Sequence, residues 1–277
     1  MYATLFAMNY RYFDAHCHVQ FEDYKHDQDE VISRMQQYGI GGIVVGVGRT
    51  SSAEAVALAE KHDNLYAAVG LHPNMVAVEP WSEEIFRTLA SRPKVVAIGE
   101  CGLDYYRPTE FTEEVKRAQS DVLRAHIDLA AALDKPLIIH ARPSKGTQDA
   151  YADLIAIIKE KKAEHGDRVR GDIHFFVGGV AEAEELFALD FTVSFTAVIT
   201  LARDYDTVIR TAPLDRILSE TDAPYLSPAS RRRERNDPLA VEEVAIQIAD
   251  IRGEDREVVR QALLANARRV FGLPAGR

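Results

Sequence analysis

Two histidines separated by one residue, His16 and His18 in the segment DAHCH (14–18), are the first side chains whose types and spacing suggest chemistry. In an extended chain residues i and i+2 point the same way, so both imidazoles converge above a strand end while Cys17 points away. Two convergent neutral imidazoles are half of a metal site. Further polar residues follow short apolar runs: Glu100 after 95–98, His140 after 136–139, His174 after 169–173 and Asp222 after 216–218. Together these are six nitrogen and oxygen donors, more than one four-coordinate ion needs and divisible between two. A carboxylate can bridge because it has two oxygens; an imidazole cannot. The expected arrangement places His16, His18 and Asp222 around one ion, His140 and His174 around the other, and Glu100 between them. With no thiolate required, the set suits two divalent ions such as Zn²⁺, Mn²⁺ or Mg²⁺. Asp222 and Glu100 are then the candidate catalytic residues, Asp222 as the carboxylate that orients and deprotonates an attacking water. Two ions about 3.5–4 Å apart would lower the pKa of that water.

Other residues near these stations are candidates for substrate contact. His72 ends the run 65–69 on the same face, and Arg142, two residues past His140, could pair with a phosphate oxygen. The cluster Arg231, Arg232, Arg233 and Arg235 follows the last strand, where barrel enzymes often bind phosphate. Tyr105, Tyr106, Phe175 and Phe176 neighbour the donors and could stack nucleobases. His26, His62, His126 and His165 fall in or beside helical patterns and read as surface or packing residues. The segment GVGRTS (46–51) lacks the lysine of a phosphate-binding loop.

The elements that must position these residues alternate along the whole chain. Short runs rich in Val, Ile and Phe predict strands at 10–15, 42–47, 65–69, 94–98, 136–139, 169–173, 191–195 and 216–218. Amphipathic stretches predict helices at 29–38, 52–62, 82–91, 112–133, 147–165, 181–188 and 204–211, with two more at 238–251 and 255–271. Strands alternating with helices indicate βαβ units, and eight of them predict a closed (β/α)₈ TIM barrel of the α/β class. A doubly wound open sheet shares the alternation. A barrel gathers residues from different strand ends onto one face, which is what six scattered donors require. The chain has 277 residues and no Gly/Ser or Pro-rich linker, so it reads as a single domain over 1–277, with 1–8 as an N-terminal extension and Met1 or Met8 as the start.

A formal charge of −10 argues against a surface built to coat duplex DNA or an anionic membrane. No apolar run reaches the length of a membrane span, and the N-terminus has no basic residue before its apolar patch, so a cytoplasmic location without membrane association is expected. Cys17 and Cys101 cannot form a disulfide framework and read as packed thiols.

The motifs that carry these residues resemble the TatD-type metal-dependent deoxyribonucleases of the amidohydrolase superfamily. DAHCH is similar to that family's D-x-H-x-H opening, GLHP (70–73) to its G-x-H-P, and GECGLDYY (99–106) to its G-E-x-G-L-D-Y segment. KPLIIHAR (135–142) and SETDAPYL (219–226) resemble its fifth- and eighth-strand motifs. The resemblance spans nearly the whole chain. It implies a TIM barrel, the metal ligands named above, and hydrolysis of DNA phosphodiesters, often as a 3′ to 5′ exonuclease. The acidic charge fits an exodeoxyribonuclease acting on single-stranded ends, and no obligate protein partner is expected. Arg232, Asn236 and Pro238 match the family's R-G-x-x-N-x-P loop and imply substrate contacts at Arg232 and Asn236. The chain departs from the pattern at Pro143, where a carboxylate is usual, at Phe175, which replaces the cysteine of H-C-F, and at Arg233, which replaces the loop glycine. These departures keep open a small amide, lactone or phosphoester as substrate, and a binding barrel without turnover stands as a third reading.

Overall fold

Eight parallel strands pair in chain order: β1 (Tyr12–Cys17), β2 (Ile40–Val45), β3 (Leu65–Val69), β4 (Val95–Asp104), β5 (Leu137–Arg142), β6 (Gly171–His174), β7 (Phe191–Phe195) and β8 (Ile217–Ser219). The computed structural model describes residues 9–107 and 112–274; the expected extension at 1–8 lies outside them. The strictly sequential strand order is that of a TIM barrel and excludes the doubly wound sheet, whose order reverses at a switch point. The segment after β8 meets β1 through a parallel bridge between Cys17 and Ala223, and the His18 N–H donates to the Ala223 carbonyl at 2.7 Å. The seam is thus closed at the C-terminal mouth, where the donors lie.

The helices are α1 (Gln28–Gln37), α2 (Arg49–Lys61), α3 (Glu83–Ala90), α4 (Glu113–Leu133), α5 (Asp149–His165), α6 (Val180–Ala188), α7 (Asp206–Thr211), α8 (Val241–Arg252) and α9 (Arg256–Phe271). Local chemistry sets their ends: the Thr112 hydroxyl accepts from Val115 N at the start of α4, and Asp255 accepts from Glu257 N and Val258 N at the start of α9. Gly253 ends α8 with φ 67°. Among the described residues, no helix is long and apolar enough to cross a membrane.

Two apolar clusters form the core. The larger lies between the outer faces of the strands and the helices. The smaller fills the barrel with Ala15, Ile43, Val45, Ala68, Ala97, Ile138 and Leu218, and Leu264, Ala267 and Phe271 of α9 pack into it beside Phe13.

Two β-bulges turn side chains into the mouth. Along β1, Asp14 pairs with Gly42 but Cys17 with Val44, so one extra residue is inserted. Phe13 and Ala15 face the interior below this bulge and His16 and His18 above it, with Cys17 outside; strict alternation would have turned His16 outward. β4 repeats the device, with Ile98 opposite Leu137 and Cys101 opposite Ile139. Ala97 is interior below that bulge and Glu100 above it. Glycine makes this possible: a Cβ at Gly102, whose φ is 142°, would stand 1.9 Å from the His140 carbonyl oxygen.

The expected strand ends at 98 and 139 are corrected. β4 runs to Asp104 and β5 to Arg142, so Glu100 and His140 lie within strands rather than after them. The segment GECGLD has no apolar alternation to mark it as a strand. Its extension comes from pairing with β5, Gly102 opposite His140 and Asp104 opposite Arg142.

Candidate metal centre

The six expected donors meet at the C-terminal mouth of the barrel. His16 Nε2 and His18 Nε2 are 3.1 Å apart. Glu100 Oε2 lies 3.4 Å from His16 Nε2 and 3.9 Å from His18 Nε2, and Asp222 Oδ1 lies 3.9 Å and 3.4 Å from the same two atoms. The other oxygen, Glu100 Oε1, faces His140 Nδ1 at 3.1 Å and His174 Nε2 at 3.8 Å. The carboxylate of Glu100 therefore stands between two groups of donors, one oxygen toward each.

This donor set fits divalent cations. His18 Nδ1 is 2.7 Å from the Val45 carbonyl oxygen, so in the neutral ring that nitrogen carries the proton and Nε2 presents a bare lone pair to His16, Asp222 and Glu100. Burial pushes the His16 ring down to about 4, which keeps it neutral as well. Among the described residues, neither Glu100 nor Asp222 pairs with a lysine or arginine. Buried carboxylates and lone pairs converging without a permanent positive charge are costly unless a cation joins them.

The electrostatics favour ionised carboxylates. Burial alone would raise Glu100, but the imidazoles of His72, His140 and His16 hold it well below the ordinary carboxylate range. Burial likewise opposes ionisation of Asp222, and the neighbouring imidazoles of His18, His174 and His16 lower it instead. Asp222 sits at φ 52°, a left-handed conformation that aspartate and asparagine tolerate, and its N–H donates to the His16 carbonyl at 2.9 Å.

Three acidic residues to which sequence reasoning gave no role support the donors. Glu220 is fully buried, with Oε1 3.0 Å from His174 Nδ1 and accepting from Phe175 N, and Oε2 accepting from Ser194 Oγ at 2.8 Å. Asp104 Oδ2 lies 3.3 Å from His140 Nε2. Asp14 Oδ1 accepts from His16 N and Thr221 N, and Oδ2 from Thr221 Oγ1 at 2.6 Å, which ties the β1 donors to the Asp222 loop. Each shares a short motif with an expected donor, Asp14 in DAHCH, Asp104 in GECGLDYY and Glu220 in SETDAPYL, and that proximity was the signal available.

The candidate substrate contacts divide. His72 and Arg142 line the cleft of about 720 Å³ above the donors, together with Phe21, Phe175, Tyr205 and Tyr225. His72 Nδ1 accepts from Asn74 N, so its Nε2 carries the proton toward Glu100 Oε1, 3.3 Å away. The Arg142 guanidinium lies 4.1 Å from the Tyr106 ring centre. Arg232 is exposed and does not line the cleft. Asn236 is fully buried; its amide donates to the Thr221 and Leu226 carbonyls and braces the Asp222 loop from behind. Of the remaining arginines, Arg231 pairs with Asp237 and Arg235 with Asp27. Tyr105 and Phe176 are buried in the wall. His126 is buried too, between Trp81, Phe86 and the Leu71 N–H.

A TIM barrel whose mouth gathers four imidazoles and two carboxylates belongs to the class of metal-dependent hydrolases. The chain is a member of the TatD related DNase family, whose model matches residues 13–272. It is 37% identical over 264 residues to the uncharacterized metal-dependent hydrolase YabD of Bacillus subtilis (strain 168), covering 94% of this chain and 98% of the relative. It is 32% identical over 273 residues to the 3'-5' ssDNA/RNA exonuclease TatD of Erwinia amylovora, covering 94% and 100%. The crystal structure of YjjV, a TatD homologue from Escherichia coli K12, superposes with a TM-score of 0.83 at 29% identity, covering 95% of this chain and 99% of that one. The protein is accordingly an enzyme, a TatD-family hydrolase acting on ester bonds.

Proposed function

We propose that this hydrolase is a two-metal exodeoxyribonuclease that removes nucleotides from single-stranded 3′ ends. The observation that carries the reading is the division of Glu100, with Oε2 toward His16 and His18 and Oε1 toward His140 and His174. His16, His18 and Asp222 would hold one ion, His140 and His174 the other, and Glu100 both. Bound there, divalent ions supply Lewis acidity, lowering the pKa of water and offsetting charge on the phosphoryl oxygens.

The protein's own groups do the rest. Asp222 is ionised and 14% exposed, the donor carboxylate that opens to the cleft, and it takes the proton from the attacking water. Glu100, with both oxygens engaged and only 4% exposed, holds the two halves in register. Glu220 and Asp104 fix the His174 and His140 rings from behind. Arg142 at the cleft wall receives a phosphate of the substrate.

A volume of about 720 Å³ falls in the range of roughly 300–1,000 Å³ typical of small-ligand sites, which suits one or two unpaired nucleotides and not a duplex. The net charge of −10 agrees, because it disfavours broad contact with duplex phosphates. The name of the Erwinia relative supports the 3′ polarity.

The test is hydrolysis of 5′-labelled oligonucleotides, single-stranded DNA, single-stranded RNA and blunt duplex, with Mg²⁺ or Mn²⁺ and with EDTA. A metal-dependent ladder that shortens single strands from the 3′ end faster than duplex is expected. Equal rates on single strands and duplex would remove the end selectivity. Silence on all three, with metal bound, would move the chemistry to a small amide, lactone or phosphoester.

A further inference from the structure

Phe175 follows the last residue of β6 with φ 44°, in the left-handed region that an aromatic residue seldom adopts. Its N–H donates to Glu220 Oε1 at 2.7 Å, the oxygen that also faces His174 Nδ1. The turn carrying the ring is thereby tied to the strand that leads to Asp222. The next residue, Phe176, is fully buried against Tyr151 and Phe195. Phe175 is half-buried and turns its ring to the cleft, with its centre 6.1 Å from that of His174. A strained backbone that presents an apolar ring to an open cleft is not explained by packing, and such strain concentrates at binding and catalytic sites. Arg142 and Tyr205 line the same cleft.

We propose that Phe175 is the stacking platform for the nucleobase next to the scissile phosphodiester. The inference rests on the phosphodiesterase reading above and adds a base subsite to it. Every base has a π-face, so an aromatic platform accepts any of the four with little sequence preference. An internal duplex base is covered on both faces and a terminal one is held by its pair, so a base must come unpaired to enter the cleft and reach the platform. The subsite therefore selects unpaired ends by requiring the terminal base to leave its stack.

The experiment compares a single-stranded oligonucleotide ending in 3′ deoxyadenosine with one ending in a tetrahydrofuran abasic analogue, hydrolysed by wild type, Phe175→Asn and Phe175→Tyr. Asparagine tolerates the left-handed region and keeps the turn while removing the ring. The wild type should favour the base-bearing end by at least about tenfold in kcat/KM, the scale of one base–aromatic stack. Phe175→Asn should erase that preference through KM, and Phe175→Tyr should restore it. Equal slowing of both oligonucleotides by Phe175→Asn would overturn the subsite, as would a wild type that hydrolyses both at one rate. A wild type that hydrolyses neither would remove the phosphodiesterase reading and the subsite with it.

Discussion

The carboxylate of Glu220 stands 3.0 Å behind the Nδ1 atom of His174, so the ring that faces Glu100 with one nitrogen faces a second buried carboxylate with the other. Burial would lower the His174 pKa, but Glu220 outweighs it and pushes the ring up to about 10. A carboxylate in this position fixes ring orientation and makes the imidazole a stronger donor. Glu220→Gln should therefore weaken metal binding by roughly 10–100-fold while leaving the fold intact. Competition with a chromophoric chelator measures it; unchanged affinity would reduce Glu220 to a strut for the Phe175 turn.

Asp222→Asn separates charge from shape. Asparagine accepts the left-handed backbone at φ 52°, so thermal unfolding should be close to wild type. Loss of the proposed base should lower kcat by about 10²–10⁴-fold, read from initial rates at saturating substrate. A variant that retains more than a tenth of the rate would take Asp222 out of the proton-transfer role.

Asp14 ties β1 to the loop after β8 by accepting two hydrogen bonds from Thr221, and accepts a third from the His16 N–H within β1. Asp14→Ala leaves the His16 and Thr221 N–H groups buried without an acceptor, at about 1–3 kcal/mol each. A loss of roughly 2–6 kcal/mol in denaturant unfolding is expected. A loss below about 0.5 kcal/mol, the level of an ordinary surface change, would show that the seam is held elsewhere.

His126 links acidity to stability. Its Nδ1 is 2.7 Å from the Val122 carbonyl and its Nε2 accepts from Leu71 N, so the ring must be neutral to serve both. Burial pushes it down from 6.5 to about 4. Between those values the unfolded chain binds a proton that the folded one refuses, so the stability this residue contributes is full above pH 6.5 and is lost as pH falls toward 4. The loss is about 3 kcal/mol by that difference. Unfolding titrations at pH 7, 5.5 and 4 should show a shallower decline for His126→Gln than for wild type; parallel declines would assign the acid sensitivity to other groups.

Much of the fold was legible in the sequence because each strand and helix carries its own periodicity. The nine expected helices begin and end within about three residues of the observed ones, as expected for boundary assignment. The convergence of these side chains was legible because His16 and His18 share a face and the others each follow an apolar run. The bulges were not, since an inserted residue is defined by the partner strand: nothing in VVAIGECG shows that Cys101 will lie opposite Ile139. Glu220 was hidden by its neighbour Asp222 in the same motif. Asn236 was read as a substrate contact from a resemblance of loops, whereas its burial behind Thr221 depends on how that loop folds back.

The proposed division of Glu100 between two ions can be measured by stepwise metal reconstitution. Chelator-stripped protein would be titrated with Mn²⁺ while bound metal and hydrolysis of a single-stranded oligonucleotide are followed together. Two ions per chain, with activity rising on the second equivalent and a single remaining ion in a His140→Ala, His174→Ala double variant, is the predicted result. Full activity at one equivalent per chain would contradict it.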